Sequence, residues 1–330
     1  MSSIENKRKV AILGAGYVGA SIAYALTLRN LADEIVLIDN SLGKARGEAA
    51  DICHGIPFMG ISNVFAGSYS DIADCGLIVI AAGRNRRKGE NRSDLALDNI
   101  ATLESIASGL KPYYNKGVIL IVTNPVDAST YMFEKWMGLP RGYVFGTGCI
   151  LDTSRLTSAV SKYVDLSTDN IRALVIGEHG EKQVPVWSKL LVAGIPIQEY
   201  CERTGIPWGD KQKVFLADTV RNMGTAIIAD KERTHYGIAT CVCYIADAVL
   251  CMRKTVVTVS STLRGEYGID GIALSVPSII SGTGIEKQIV ERLEQDEIEA
   301  LRISAGYLAE IQERVSNLSK KNNIQRVQSD

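Results

Sequence analysis

Val10-Ala11-Ile12-Leu13-Gly14-Ala15-Gly16-Tyr17-Val18-Gly19 is the stretch whose reading decides the fold. Four apolar residues that suit a buried strand run into glycines spaced G-x-G-x-x-G, and Val18, Ile22, Ala25 and Leu26 then recur at helical spacing. Strand, glycine turn and helix in that order open a βαβ unit. The acidic residue such a unit needs after its second strand is Asp39, twenty positions beyond Gly19. The glycines divide the geometry between them, as Gly14 makes the tight turn, Gly16 lets the backbone approach a pyrophosphate, and Gly19 lets the helix pack closely on the strand. The first turn of the helix, at Tyr17 and Val18, then faces the phosphates. Asp39 can accept hydrogen bonds from an adenosine ribose and would repel a 2′-phosphate, so the expected cofactor is NAD rather than NADP.

Outward from that unit, residues 35–38, 77–81 and 118–122 are further short, β-branched, almost wholly apolar runs, as parallel strands covered on both faces should be. Helical patterns fill the gaps between them. From about residue 164 the texture changes to fewer buried strand runs, glycine-rich turns such as Arg264-Gly265-Glu266-Tyr267-Gly268, and long helical stretches. Ile298, Leu301, Ala305, Leu308, Ile311 and Val315 form the apolar stripe of a late amphipathic helix. A polar tail after Lys320 is expected to be disordered. The expected architecture is α/β: an N-terminal Rossmann dinucleotide-binding domain with a parallel sheet over residues 1–148, and a C-terminal α+β substrate domain over 149–330.

The 330 residues are 46% hydrophobic and 22% charged, with a formal net charge of −1. That balance suits a globular protein and lacks the broad electropositive face of a dedicated nucleic-acid or membrane-surface binder. No segment approaches the roughly 18 uninterrupted apolar residues of a membrane span, and the charged start leaves no room for a secretory signal. Seven cysteines, an odd number scattered along a large chain, suit reduced thiols and a cytoplasmic location. Cys241-Val242-Cys243 lacks the spacing and the second ligand pair of a zinc knuckle, so no metal site is expected. Cys53-His54 reads as a packed histidine near a helix end.

Two segments carry candidate chemistry. In Asp152-Thr153-Ser154-Arg155 a spacing of three puts a carboxylate and a guanidinium on one helix face. In Gly177-Glu178-His179-Gly180, one of three histidines sits between glycines that would let a small molecule approach closely. A dinucleotide site, a proton-transfer group and a guanidinium beside a carboxylate are the parts that a hydride-transfer enzyme acting on a small carboxylic acid needs.

With these residues in view, the chain resembles the lactate/malate dehydrogenase family over nearly its whole length, and its bacterial L-lactate branch most. Besides Gly14 to Gly19 and Asp39, the matching segments are Asp51-Ile52-Cys53-His54-Gly55, Lys88-Gly89-Glu90-Asn91-Arg92, Thr123-Asn124-Pro125-Val126-Asp127, Gly146-Thr147-Gly148, Leu151 to Arg155, Gly177 to Gly180 and Tyr267-Gly268-Ile269. The resemblance implies that His179 is the acid–base group, oriented and made more basic by Asp152. It implies that Arg155 grips the substrate carboxylate with a two-pronged bond, and that Arg92, on a mobile lid, polarises the ketone. Asn124 would position the substrate oxygen and, with Thr147, border the cofactor, while Ile238 would cover the nicotinamide face. A homotetramer or homodimer is implied as well. The reading from another class is an NAD(H)-binding regulatory protein without catalysis, and the intact set of His179, Asp152, Arg155 and Arg92 speaks against it.

Substrate choice is open at this level. Resemblance places Arg86 at the lid tip, where arginine goes with oxaloacetate, and an arginine enclosed beside a methyl group would be an unpaired charge. Against it stand the unusually basic run Arg84-Asn85-Arg86-Arg87-Lys88 and Thr234, which matches the threonine of lactate enzymes. The balance leans to L-lactate, with L-malate as the alternative. His235 is unusual for the family; it reads either as a surface residue or as a source of pocket charge at low pH. Where fructose 1,6-bisphosphate activates bacterial members, two basic residues clamp the phosphates; here those positions hold Thr157 and Arg172, and activation is expected to be weak or absent.

Overall fold

The computed structural model describes the backbone of residues 8–84 and 92–329, and the side chains of 8–84 and 98–319. In the N-terminal half, strands β1 (Lys9–Leu13), β2 (Glu34–Ile38), β3 (Asn63–Ala66), β4 (Leu77–Ile80), β5 (Val118–Ile121) and β6 (Val144–Gly146) alternate with helices α1 (Tyr17–Leu28), α2 (Leu42–Met59), α3 (Arg92–Leu110) and α4 (Val126–Met137). The strands lie in the order β3-β2-β1-β4-β5-β6, all parallel. This is the doubly wound Rossmann order, whose direction reverses between β1 and β4 and opens a ligand crevice at their carboxyl ends. The full burial of β1, β4 and β5 explains why their residues are apolar on both faces.

The C-terminal half begins with α5 (Ile150–Val164) and continues through the short strands β7 (Ile171–Arg172), β8 (Val175–Gly177), β9 (Gln183–Pro185), β10 (Leu191–Val192) and β11 (Ile195–Pro196). Helices α6 (Ile197–Thr204), α7 (Asp210–Lys231) and α8 (Tyr236–Leu250) follow, then β12 (Thr255–Arg264), β13 (Asp270–Ser281), β14 (Gly284–Gln288) and α9 (Gln295–Ser329). Two expectations fail here. β12 and β13 are long, mostly buried strands where few were expected, because serines at inward positions broke the apolar run. Those buried hydroxyls are hydrogen-bonded instead: Ser260 donates to Asp127, Ser275 accepts from the Cys149 N–H, and Ser261 accepts from Gln288. The tail after Lys320 is helical backbone of α9 rather than disordered, since no glycine or proline follows Gly306 to stop the helix.

Two features position the site. β12 pairs antiparallel with β6 at Ser260 and Gly146, so both halves share one sheet. Helix α8 belongs to the later half yet buries Ala239, Val242, Ile245 and Ala246 against Val10, Ile12 and the inner face of α1. Burying a Val or Ile side chain contributes about 1.5–3 kcal/mol, so this packing holds the start of α8 firmly against the glycine turn. The stripe of α9 is buried at Leu301, Ala305, Leu308 and Val315 as expected.

Candidate active site

The cofactor candidates lie at the carboxyl ends of the parallel strands. Gly14 follows β1 with φ 103°, and a Cβ there would come within 2.6 Å of the Ala82 backbone, which follows β4. At Gly19 a Cβ would sit 1.9 Å from the Gly14 carbonyl oxygen. Both positions exclude any side chain. Gly16 differs, since the nearest atom to a Cβ would be Lys44 Nζ at 3.8 Å, and open space lies before it. No side chain caps α1, so its first-turn N–H groups, at Tyr17, Val18 and Gly19, have neither a helical partner nor a cap. Asp39, directly after β2, accepts hydrogen bonds from the N–H of Ala15 at 2.8 Å and of Ser41 at 2.9 Å. Turn, open cradle and anchored carboxylate fit a dinucleotide, with its diphosphate at α1 and its ribose at Asp39. Lys44, at the mouth, carried no signal in sequence.

Asn124 follows β5 and is exposed; its side-chain oxygen accepts from the Val126 N–H at 3.3 Å. Thr147 follows β6, buried, with its N–H on the Ile121 carbonyl.

The second cluster converges from three elements. Asp152, on the first turn of α5 and 2% exposed, accepts from His179 Nδ1 at 2.5 Å and from Arg155 Nη1 at 3.1 Å. Burial alone would lower the His179 pKa, but the Asp152 carboxylate, through its charge and its hydrogen bond, raises it above the ordinary histidine value. Asp152 shows the converse: burial opposes its ionisation, yet the imidazolium and Arg155 hold its pKa below the usual carboxylate value. Arg155 also lies against helix α7, where a methyl on Gly224 would meet Nη2 at 3.3 Å.

The loop that carries His179 is pinned by its own backbone. Gly177 has φ 85° and its missing Cβ accommodates Ser304, which accepts the Glu178 N–H at 2.7 Å. That glycine therefore serves the turn of the loop and not the expected approach of a substrate. The His179 N–H donates at 2.9 Å to Asp127, three residues beyond Asn124 on α4. Asp127 is 2% exposed and takes a second bond from Ser260 at 2.6 Å; burial pushes its pKa up to about 6, the two hydrogen bonds and His179 opposing. Asp127 falls inside a matching segment, yet nothing in its sequence context marks this function.

The segment between α7 and α8, and the first turn of α8, carry two further candidates. Thr234 is half-buried there, and Ile238, on the first turn of α8, packs against the N-terminal core. A Cβ on Gly237 would meet Leu151 at 3.2 Å, so the start of α8 abuts the start of α5. His235 is not a surface residue: it is 9% exposed, and burial, then Lys231 and Arg233, lower its pKa, so any charge it gains comes at lower pH than for an ordinary histidine. His54, expected to be packed, is exposed on α2. Burial makes Cys241 and Cys243 inert thiols, pushed up to about 12 and about 11. Arg86 lies outside the described residues, as does the side chain of Arg92, whose backbone opens α3.

A Rossmann sheet with a dinucleotide cradle, joined across β6 and β12 to a half-buried histidine on a buried aspartate, defines an oxidoreductase that uses NAD and acts on a CH–OH group. Residues 8–146 match the NAD-binding domain of lactate/malate dehydrogenases, and residues 149–318 match the alpha/beta C-terminal domain of the same family. The chain belongs to the lactate/malate dehydrogenase family. It is 38% identical to the L-lactate dehydrogenase of Acetivibrio thermocellus over 92% of this chain and 96% of that one. With that of Thermoanaerobacterium saccharolyticum the identity is 39%, over 92% and 97%. A solved structure of the minor L-lactate dehydrogenase of Enterococcus mundtii superposes with TM-score 0.91 at 34% identity, covering 94% of this chain and 99% of that one. The L-lactate dehydrogenase of Clostridium thermocellum gives TM-score 0.82 at 41% identity, with the same coverage.

Proposed function

We propose that this chain is an NAD-dependent L-lactate dehydrogenase that reduces pyruvate to L-lactate, and that residues 1–148 and 149–330 are its cofactor and substrate domains. The observation that carries the reading is the His179–Asp152–Arg155 constellation, and the relatives named L-lactate dehydrogenase support pyruvate as the substrate. When bound, NADH supplies the hydride to the ketone carbon. His179 gives a proton to the ketone oxygen from Nε2, because Nδ1 is held by Asp152. Asp152 keeps the imidazole protonated until that moment. Arg155 spends one donor on Asp152 and has enough N–H groups left for a two-pronged bond to the substrate carboxylate. Asn124 positions the ketone oxygen, Arg92 polarises it, Thr234 shapes the methyl side of the pocket, and Ile238 covers the nicotinamide. Arg86, in this reading, points outward; bound inward it would make the enzyme a malate dehydrogenase.

The same reading makes the protein a cytoplasmic enzyme of fermentative glycolysis and a homotetramer or homodimer. Exposed Phe58 and Ile61 beside α2, and Val214 and Phe215 on α7, support assembly with further copies. Activation by fructose 1,6-bisphosphate is weak or absent in this reading, supported by Thr157 bonding back to the Thr153 carbonyl and Arg172 to the carbonyls of Asp169 and Ile171. To test the assignment, NADH oxidation with pyruvate is compared in wild type and His179→Gln. Loss of general acid catalysis predicts a fall in kcat of about 10²- to 10⁴-fold with NADH affinity retained. Wild-type protein that binds NADH and turns over no 2-oxo acid would instead favour a regulatory protein.

A further inference from the structure

Glu232-Arg233-Thr234-His235, the link between α7 and α8, folds back over the first turn of α1. Glu232 makes the reversal with φ 68°, and α8 then packs along α1. Thr234 has its place at the substrate; its neighbours have none in the reaction described so far. The Arg233 guanidinium lies 4.1 Å from the ring centroid of Tyr17, the first residue of α1. The His235 ring is 5.9 Å from that of Tyr17 and 4.0 Å from that of Tyr236, on whose ring Lys231 also sits at 4.2 Å.

Two details set this cluster apart from ordinary surface packing. Tyr17 is 60% exposed, so stacking on it hides little apolar surface, yet it parks a planar cation beside a helix start that no side chain caps. His235 is 9% exposed, and its buried Nδ1 has no hydrogen-bond partner among the described residues. A buried polar atom left without a partner calls for a ligand or an ordered water. Arg233 does pair with Glu232 at 2.9 Å, but Glu232 is 81% exposed, and such surface pairs are weak beside a charge-assisted bond to a diphosphate.

We propose that Arg233 and His235 form a second wall of the dinucleotide site, contributed by the C-terminal half, in which Arg233, held in place by the Tyr17 ring, binds the diphosphate and His235 Nδ1 hydrogen-bonds a polar atom of the same cofactor. The inference rests on the reading of Gly14 to Gly19 as the diphosphate loop. It also gives the enzyme a physical link between its two ligands, because the residues that meet the cofactor flank Thr234 at the substrate.

The experiment is titration with NADH, without substrate, followed by nucleotide fluorescence, with adenosine as a ligand that lacks both phosphates and thermal melts as a check on folding. Arg233→Ala weakens NADH binding by about tenfold, the loss expected for one charge-assisted bond. Arg233→Lys recovers part of it, His235→Phe loses several-fold, and the adenosine affinity of Arg233→Ala stays at the wild-type value. Wild-type NADH affinity in both Arg233→Ala and His235→Phe would overturn the proposal while leaving the loop reading intact. Unchanged NADH affinity in Gly16→Val, whose side chain enters open space, would remove the loop reading and the proposal with it. Equal losses of NADH and adenosine affinity in Arg233→Ala would also overturn it, marking the cluster as packing alone.

Discussion

Asp152 is shared by two cations, and that sharing sets the pH behaviour. The folded-state pKa of His179 is raised, so its protonated form persists above about pH 6.5, the ordinary histidine value. Reduction of the 2-oxo acid, which consumes that proton, should hold its kcat/KM at low pH and decline only above pH 6.5; oxidation of the hydroxy acid should show the opposite limb. Asp152→Asn removes the cause, so the break should move down in pH and the rate should fall, as steady-state profiles in both directions would reveal. Asp127 has the opposite linkage. Its pKa is raised by burial to about 6, so the folded state resists its ionisation, and stability is lost as pH rises from about 4 to about 6. Asparagine fits the same site, accepting from the His179 N–H and donating to Ser260. Asp127→Asn should therefore gain stability over wild type as pH rises through that window, by up to about 3 kcal/mol, measured by urea unfolding at pH 4 and pH 7. A difference that does not change with pH would mean that the carboxylate is not strained. The greater basicity of His179 beside Asp152 was implied by the resemblance, but the linkage at Asp127 was not legible in sequence, because its pinning of the loop joins residues 52 positions apart.

Among the elements, those legible in advance were the ones whose burial is continuous. β1, β2, β4 and β5 read directly because both faces are covered by helices, whereas β3 is a four-residue edge strand with only Val64 buried, and β6 has three residues ending in Gly146. β12 and β13 escaped because buried serines imitate polar alternation. Gly224 escaped for another reason: nothing in a helical pattern marks a glycine as necessary, yet this one gives the Arg155 guanidinium its place. Ala is favoured over Gly within a helix by about 1 kcal/mol, so Gly224→Ala should raise Tm. The methyl 3.3 Å from Nη2 should displace the two-pronged grip and raise KM for the 2-oxo acid several-fold, with NADH affinity unchanged. A variant that is more stable with an unaltered KM would show that Arg155 has room to spare.

At the scale of the whole molecule, one sheet runs through both halves, and the proposed active site lies where the carboxyl ends of the parallel strands meet the His179 loop and the start of α8. The cofactor half was legible because a dinucleotide imposes its own spacing of glycines and acid on the chain. The substrate half was legible mainly through resemblance, since its residues come from α4, α5, β8, α7 and α8 and meet only when folded. The claim that rests most on this assembly is the choice of pyruvate, because Arg86 and Thr234 point to different acids. Its most direct test is kcat/KM with NADH for pyruvate and oxaloacetate measured side by side on the same preparation. The expected result is a clear preference for pyruvate, with Arg86→Gln changing it little; a large preference for oxaloacetate that Arg86→Gln abolishes would contradict the assignment and make the chain a malate dehydrogenase.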